Sequence, residues 1–117
     1  MVAANDLAFL LAETGGDLDK ALTLAQKSLA QQPEAAPVLD TVGWIHYKKG
    51  DSAKAIEYLE QARSKSADDP SVNYHLGAAY LKAGKKAQAK EYLQKALAAG
   101  KDFKGKEEAT KALGALK

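Results

Sequence analysis

The sequence predicts an all-α fold, an α-solenoid of antiparallel helix pairs about seven helices long. Three observations lead there. Residues 36–69 and 70–103 are offset by 34 positions and share eleven identities, among them Gly43/Gly77, Gly50/Gly84, Ala55/Ala89, Tyr58/Tyr92 and Leu59/Leu93. Apolar residues recur at intervals of three and four, the spacing of one helix face. Glycine and proline fall between these stripes, where helices stop and start. A fixed period of this length describes a unit that buries its apolar face only against its neighbours.

The elements follow in order. In the first unit, Leu7-Ala8-Phe9-Leu10-Leu11 corresponds to Val42-Gly43-Trp44-Ile45-His46, and Gly15-Gly16 adds one residue, with Gly16 taken as the turn glycine. Asp17, Lys20 and Ala21 then match Asp51, Lys54 and Ala55, and Pro33 closes the unit. The second unit opens after Pro37 with Val38, Leu39, Val42, Ile45 and His46 on one face. Gly50-Asp51 ends that helix and caps the next, because glycine accepts the left-handed turn and aspartate receives the free N–H groups. Ala55, Ile56, Leu59, Ala62 and Arg63 form its stripe. The third unit starts at Asp69-Pro70, a cap followed by proline at the first helical position. Val72, Leu76, Gly77 and Tyr80 face inward, and Ala89, Leu93, Ala96 and Leu97 continue after Gly84. Phe103, Thr110, Leu113 and Leu116 mark one side of a terminal helix that covers the last core. The expectation is one domain over 1–117, with repeats at about 2–35, 36–69 and 70–103 and a capping helix at about 103–116.

Composition narrows the function. A net charge of +2 with lysine and acid interleaved argues against nucleic acid. No apolar run of 18 residues exists, so direct membrane insertion is not expected. The first 13 residues lack the basic start and cleavage site of a signal peptide. The absence of cysteine excludes disulfides and thiolate chemistry, and fits a soluble protein of the cytoplasm or the periplasm alike. His46 and His75 belong to no metal-ligand spacing, and no nucleophile or phosphate-binding motif is present. His46 reads as a hydrogen-bonded core residue and His75 as an exposed one. No catalytic residue, metal or cofactor is expected, and the chain is not expected to be an enzyme.

The spacing resembles the tetratricopeptide repeat, a pair of antiparallel helices in 34 residues. The marks are a small residue within the first helix (Ala8, Gly43, Gly77), a turn glycine (Gly16, Gly50, Gly84), an alanine early in the second helix (Ala21, Ala55, Ala89) and a small residue late in it (Ser28, Ala62, Ala96). Only Gly, Ala or Ser leaves room where two backbones cross closely. The resemblance implies a right-handed solenoid whose first helices line a concave, peptide-binding groove. By position that lining is Asn5, Phe9, Ala12, Asp40, Trp44, Tyr47, Lys48, Tyr74, Ala78, Leu81 and Lys82. It holds half of the eight aromatics in the chain, and aromatic anchors commonly carry binding energy; the alternative for Trp44 and Phe9 is packing on neighbouring helices of the stack. Lys48 and Lys82, one repeat apart at the groove edge, read first as solvated lysines, with a peptide carboxylate or acidic side chain as the alternative partner. The family's two-carboxylate clamp is not expected, because its slots hold Asn5, Phe9, Thr41, Ser71 and His75. The expected partner is therefore a protein or peptide segment with apolar or aromatic side chains, bound by a monomer or weak homodimer. The alternative is a structural or self-associating piece of a longer solenoid, suggested by the nearly all-apolar run Leu7 to Leu11. The wording of Leu39 to Trp44 also resembles C-terminal repeats of large bacterial proteins of this family.

Overall fold

A computed structural model describes residues 3–100 and 102–116. Residues 1, 2, 101 and 117, which the expected boundaries include, lie outside the described residues. Among the described residues there are seven helices and no strand: α1 (Ala3–Glu13), α2 (Leu18–Gln31), α3 (Ala36–Lys48), α4 (Ser52–Lys65), α5 (Pro70–Lys82), α6 (Lys86–Ala98) and α7 (Lys106–Ala115). Each boundary has a local cause. Asp17, Asp51 and Asp69 precede α2, α4 and α5, and their side chains accept N–H groups of Lys20, Lys54 and Ser71. Gly50 and Gly84 end α3 and α5 at φ +91° and +82°, values that a side chain would strain. In the first unit the left-handed residue is Gly15, at φ +74°, and not Gly16. Gly16 is the extra residue of that turn, lying over Leu11.

Consecutive helices pack on each other throughout the chain. The odd-numbered helices also touch in succession, α1 on α3, α3 on α5 and α5 on α7, whereas α2, α4 and α6 do not meet among the described residues. Closer spacing on one side than the other curves the stack, so α1, α3, α5 and α7 form its inner layer. Between layers the core is built from Ala21, Ala55 and Ala89 at zero exposure, with Val42, Ile45, Leu59, Leu76 and Leu93. The small residues serve close approach. A Cβ on Gly43 would sit 2.7 Å from Leu59 Cγ, and one on Gly77 would sit 2.8 Å from Leu93 Cγ.

Both histidines are buried. His46 stacks on Tyr58 at 5.6 Å between ring centres. Loss of solvation there lowers its pKa below the ordinary histidine value, so the ring is held neutral. His75 corrects the sequence expectation. It is buried, with Nδ1 2.7 Å from Asp40 Oδ1, because the ring is clamped between the first helices of neighbouring pairs and stacks on Trp44. α7 begins at Lys106, so Phe103 precedes the helix. Ala109 is its buried residue, while Thr110 faces outward and donates to Lys106 O.

Candidate peptide-binding groove

The inner layer is floored by aromatic rings. Trp44 on α3 is 3% exposed, which makes it floor and not wall. Its ring stacks on Tyr47 at 4.5 Å and on His75 at 4.0 Å, and Tyr74 tilts against it at 5.7 Å. Helical spacing explains this: Trp44 and Tyr47 are three residues apart on α3, and α5 brings Tyr74 and His75 alongside. The indole N–H donates to Glu13 Oε2 at 2.6 Å, tying α3 to the end of α1. A buried indole N–H without a partner is costly, so Glu13 is part of the floor. Sequence reasoning did not single out Glu13; its position as the last residue of α1, beside an aromatic helix, was the available signal.

Lys48 and Lys82, read as solvated lysines or as partners of a peptide carboxylate, already have partners within the chain. Lys48 Nζ lies 3.7 Å from Glu13 Oε2 and 5.2 Å from the Trp44 ring centre. Lys82 Nζ donates to Tyr47 O at 3.0 Å and sits 4.4 Å above the Tyr47 ring. A cation at the C-terminal end of α3 also meets the negative end of that helix. These lysines brace the rings.

The remaining lining residues divide between two depressions. Asn5, Phe9 and Asp40 line one, at the α1–α3 end, together with Asp6, Asp69 and Lys104. Tyr47, Tyr74, Ala78, Leu81 and Lys82 line the other, closed on its far side by Glu108 and Ala112 of α7. Asn5 Oδ1 is itself buried and accepts no hydrogen bond among the described residues. In the second, burial, with a smaller contribution from Glu108, pushes the Tyr74 hydroxyl up to about 12. It is therefore a neutral donor at any physiological pH. Ala12, also expected in the lining, is buried in the core of the first pair.

Residues 103–105 lie against both α1 and α5. The Phe103 ring lies 6.0 Å from that of Tyr74. Lys104 Nζ is 3.7 Å from Glu13 Oε1 and 6.0 Å from the Phe9 ring centre. Gly105, at φ +98°, passes so close to Tyr74 that a Cβ would fall 2.3 Å from the ring. Among the described residues no group of three or more acids and histidines is arranged to hold a metal, and no helix is long and apolar enough to cross a membrane.

A curved stack of helix pairs with an aromatic inner face defines a helical-repeat protein. Two tetratricopeptide-repeat family profiles match the chain, one over residues 46–115 and the other over residues 1–68. The chain belongs to the tetratricopeptide-repeat family. A TPR repeat-containing protein of Pseudomonas aeruginosa is 34% identical over 67 residues, or 57% of this chain. That match covers only 11% of the relative's length. Among solved structures, the first TPR of Spaghetti (RPAP3) bound to the HSP90 peptide SRMEEVD superposes with a TM-score of 0.84 at 17% identity, covering 98% of this chain and 88% of that one. PcrH in complex with the chaperone binding region of PopD gives 0.80 at 18% identity, covering 97% and 88%. At these identities the likeness is one of fold.

Proposed function

We propose that this chain is a non-enzymatic interaction module that binds a segment of a protein partner along the inner face of α1, α3, α5 and α7. The observation that carries the reading is the pair of depressions walled by Phe9, Tyr47, Tyr74, Ala78 and Leu81 over a rigid aromatic floor. Rings already held by stacking lose little freedom on binding, which favours affinity. Spaghetti bound to an HSP90 peptide and PcrH in complex with the chaperone binding region of PopD share this fold, which supports a segment of a protein as the ligand. The chemistry differs from a carboxylate clamp. Thr41 and His75 are buried, and Lys48 and Lys82 are engaged within the chain. An apolar or aromatic segment fits the walls.

Panning a random peptide library on the purified chain tests this. Selected peptides are expected to lose at least about tenfold in affinity on Tyr47→Ala and on Leu81→Glu, as for hot-spot residues, with the helical circular-dichroism signal retained. Undiminished binding by both folded variants would place the site elsewhere.

A second reading, a self-associating or structural segment of a longer solenoid, is favoured by α1 alone. Leu7 and Leu10 are 45% and 55% exposed there, and large apolar side chains so placed mark a surface that expects cover. Sedimentation equilibrium of the wild type and Leu10→Glu decides it. Self-association predicts a dimer that the substitution dissolves, and a monomer at high concentration sinks that reading.

A further inference from the structure

Residues 103–105 make, on the inner face, the contacts a bound peptide would make. Phe103 presents a ring to Tyr74, Lys104 presents a cation to Glu13 and Phe9, and Gly105 lets the backbone lie flat on the Tyr74 ring. These contacts lie outside α7, whose own buried residue is Ala109. Glu13 Oε2 is committed to the Trp44 N–H, whereas Oε1 has Lys104 as its ion-pair partner. The depression on that side carries three aspartates, Asp6, Asp40 and Asp69, and Lys104 is the one cation lining it. A surface of that sign disfavours an acidic ligand and draws in a basic one.

We infer that residues 103–105 are a built-in occupant of the groove, and that the partner segment is one that replaces them with an aromatic residue followed by lysine or arginine, the ring seated on Tyr74 and the cation on Glu13. This rests on the groove reading above. Full engagement along α1 to α5 then requires the connection between α6 and α7 to lift away. The Lys104 side chain is 67% exposed and can return to water, whereas the Glu13 carboxylate it leaves is only 15% exposed and takes the incoming cation in its place. Self-occupancy lowers the apparent affinity for any external peptide by the fraction of time the groove is free.

The test uses the full chain and a blocked synthetic peptide, Asp-Phe-Lys-Gly-Lys, followed through the fluorescence of Trp44, the single tryptophan. Lys104→Glu, repelled by Glu13, is expected to bind the peptide several-fold more tightly than the wild type, and Phe103→Ala/Lys104→Glu about tenfold more tightly, as release of a self-occupied groove requires. On Lys104→Glu, exchanging the first lysine of the peptide for glutamate should weaken binding about tenfold, through like charge at Glu13. Melting curves verify that the variants are folded, and the exposed Lys104→Glu change alone suffices if the double variant is not. Equal affinity of wild type and Lys104→Glu, or equal binding of the lysine and glutamate peptides, overturns the inference. Should library-selected peptides still depend on Tyr47 and Leu81 in that event, the groove stands and only its built-in occupant falls.

Discussion

Trp44→Ala is expected to lower stability by about 3–5 kcal/mol, the range for emptying a large aromatic site in a core. The residue sits on the inner face, where a binding role is the natural sequence reading, yet it is 3% exposed and holds four partners together. Tyr47 and His75 stack on its two sides, Tyr74 tilts against it and Glu13 receives its N–H. Truncation removes those contacts and leaves the Glu13 carboxylate without its donor. Trp44→Phe separates the two effects. It keeps most of the packing and loses the hydrogen bond, so a cost of about 1–2 kcal/mol is expected. Urea denaturation followed by circular dichroism measures both. A Trp44→Ala chain as stable as the wild type would mean that the ring is a free wall residue and that the floor described above does not exist.

Gly43→Leu is expected to cost about 3 kcal/mol, the upper part of the usual range for overpacking, and to lower the melting temperature by about 10–15 °C for a domain of this size. The position is the crossing of α3 and α4. A Cβ would meet Leu59 Cγ at 2.7 Å and the Ala55 carbonyl oxygen at 3.2 Å. Leu59 can turn, but the Ala55 backbone yields only if α4 moves out. Gly43→Ala therefore sets two effects against each other. Helix propensity favours alanine by about 1 kcal/mol, and the close approach opposes it; the clash with α4 backbone decides for net destabilisation. Gly77, with Leu93 Cγ at 2.8 Å and Leu93 N at 3.2 Å, repeats the situation between α5 and α6. Thermal melts of Gly43→Leu and Gly77→Leu should fall together.

These two positions also mark how far sequence reasoning reached. Gly43 and Gly77 were legible because a repeat imposes the same helix crossing twice, so the constraint appears in register. Helix starts at Asp17, Asp51 and Asp69 were legible because capping is local chemistry. Trp44 was placed on the correct face, but its depth was not, since burial depends on how tightly α1, α3 and α5 converge. His75 shows the same limit. Its burial comes from Asp40 and Trp44 on α3, a contact between pairs that one helix's periodicity does not contain. Lys48 and Lys82 read as groove-edge charges, whereas the rings beneath them and the Glu13 and Tyr47 oxygens hold them.

The stretch from Phe103 to Gly105 was the least legible. It falls where the repeat ends, so no second copy constrains it. An apolar periodicity count drew Phe103 into the terminal helix with Leu113 and Leu116, although α7 starts three residues later. Its signals were a lone aromatic between Asp102 and Lys104, with Gly105 next, which acquire meaning only once Tyr74 and Glu13 are seen beneath them.

The measurement that bears most directly on the inner face as the binding surface is a map of backbone amide shifts on titration with a library-selected peptide. The changes are expected on α1, α3 and α5 around Glu13, Tyr47, Tyr74 and Leu81, and at residues 103–105 as that segment leaves the groove. Shifts confined to α2, α4 and α6, with the inner helices and residues 103–105 unmoved, would contradict it.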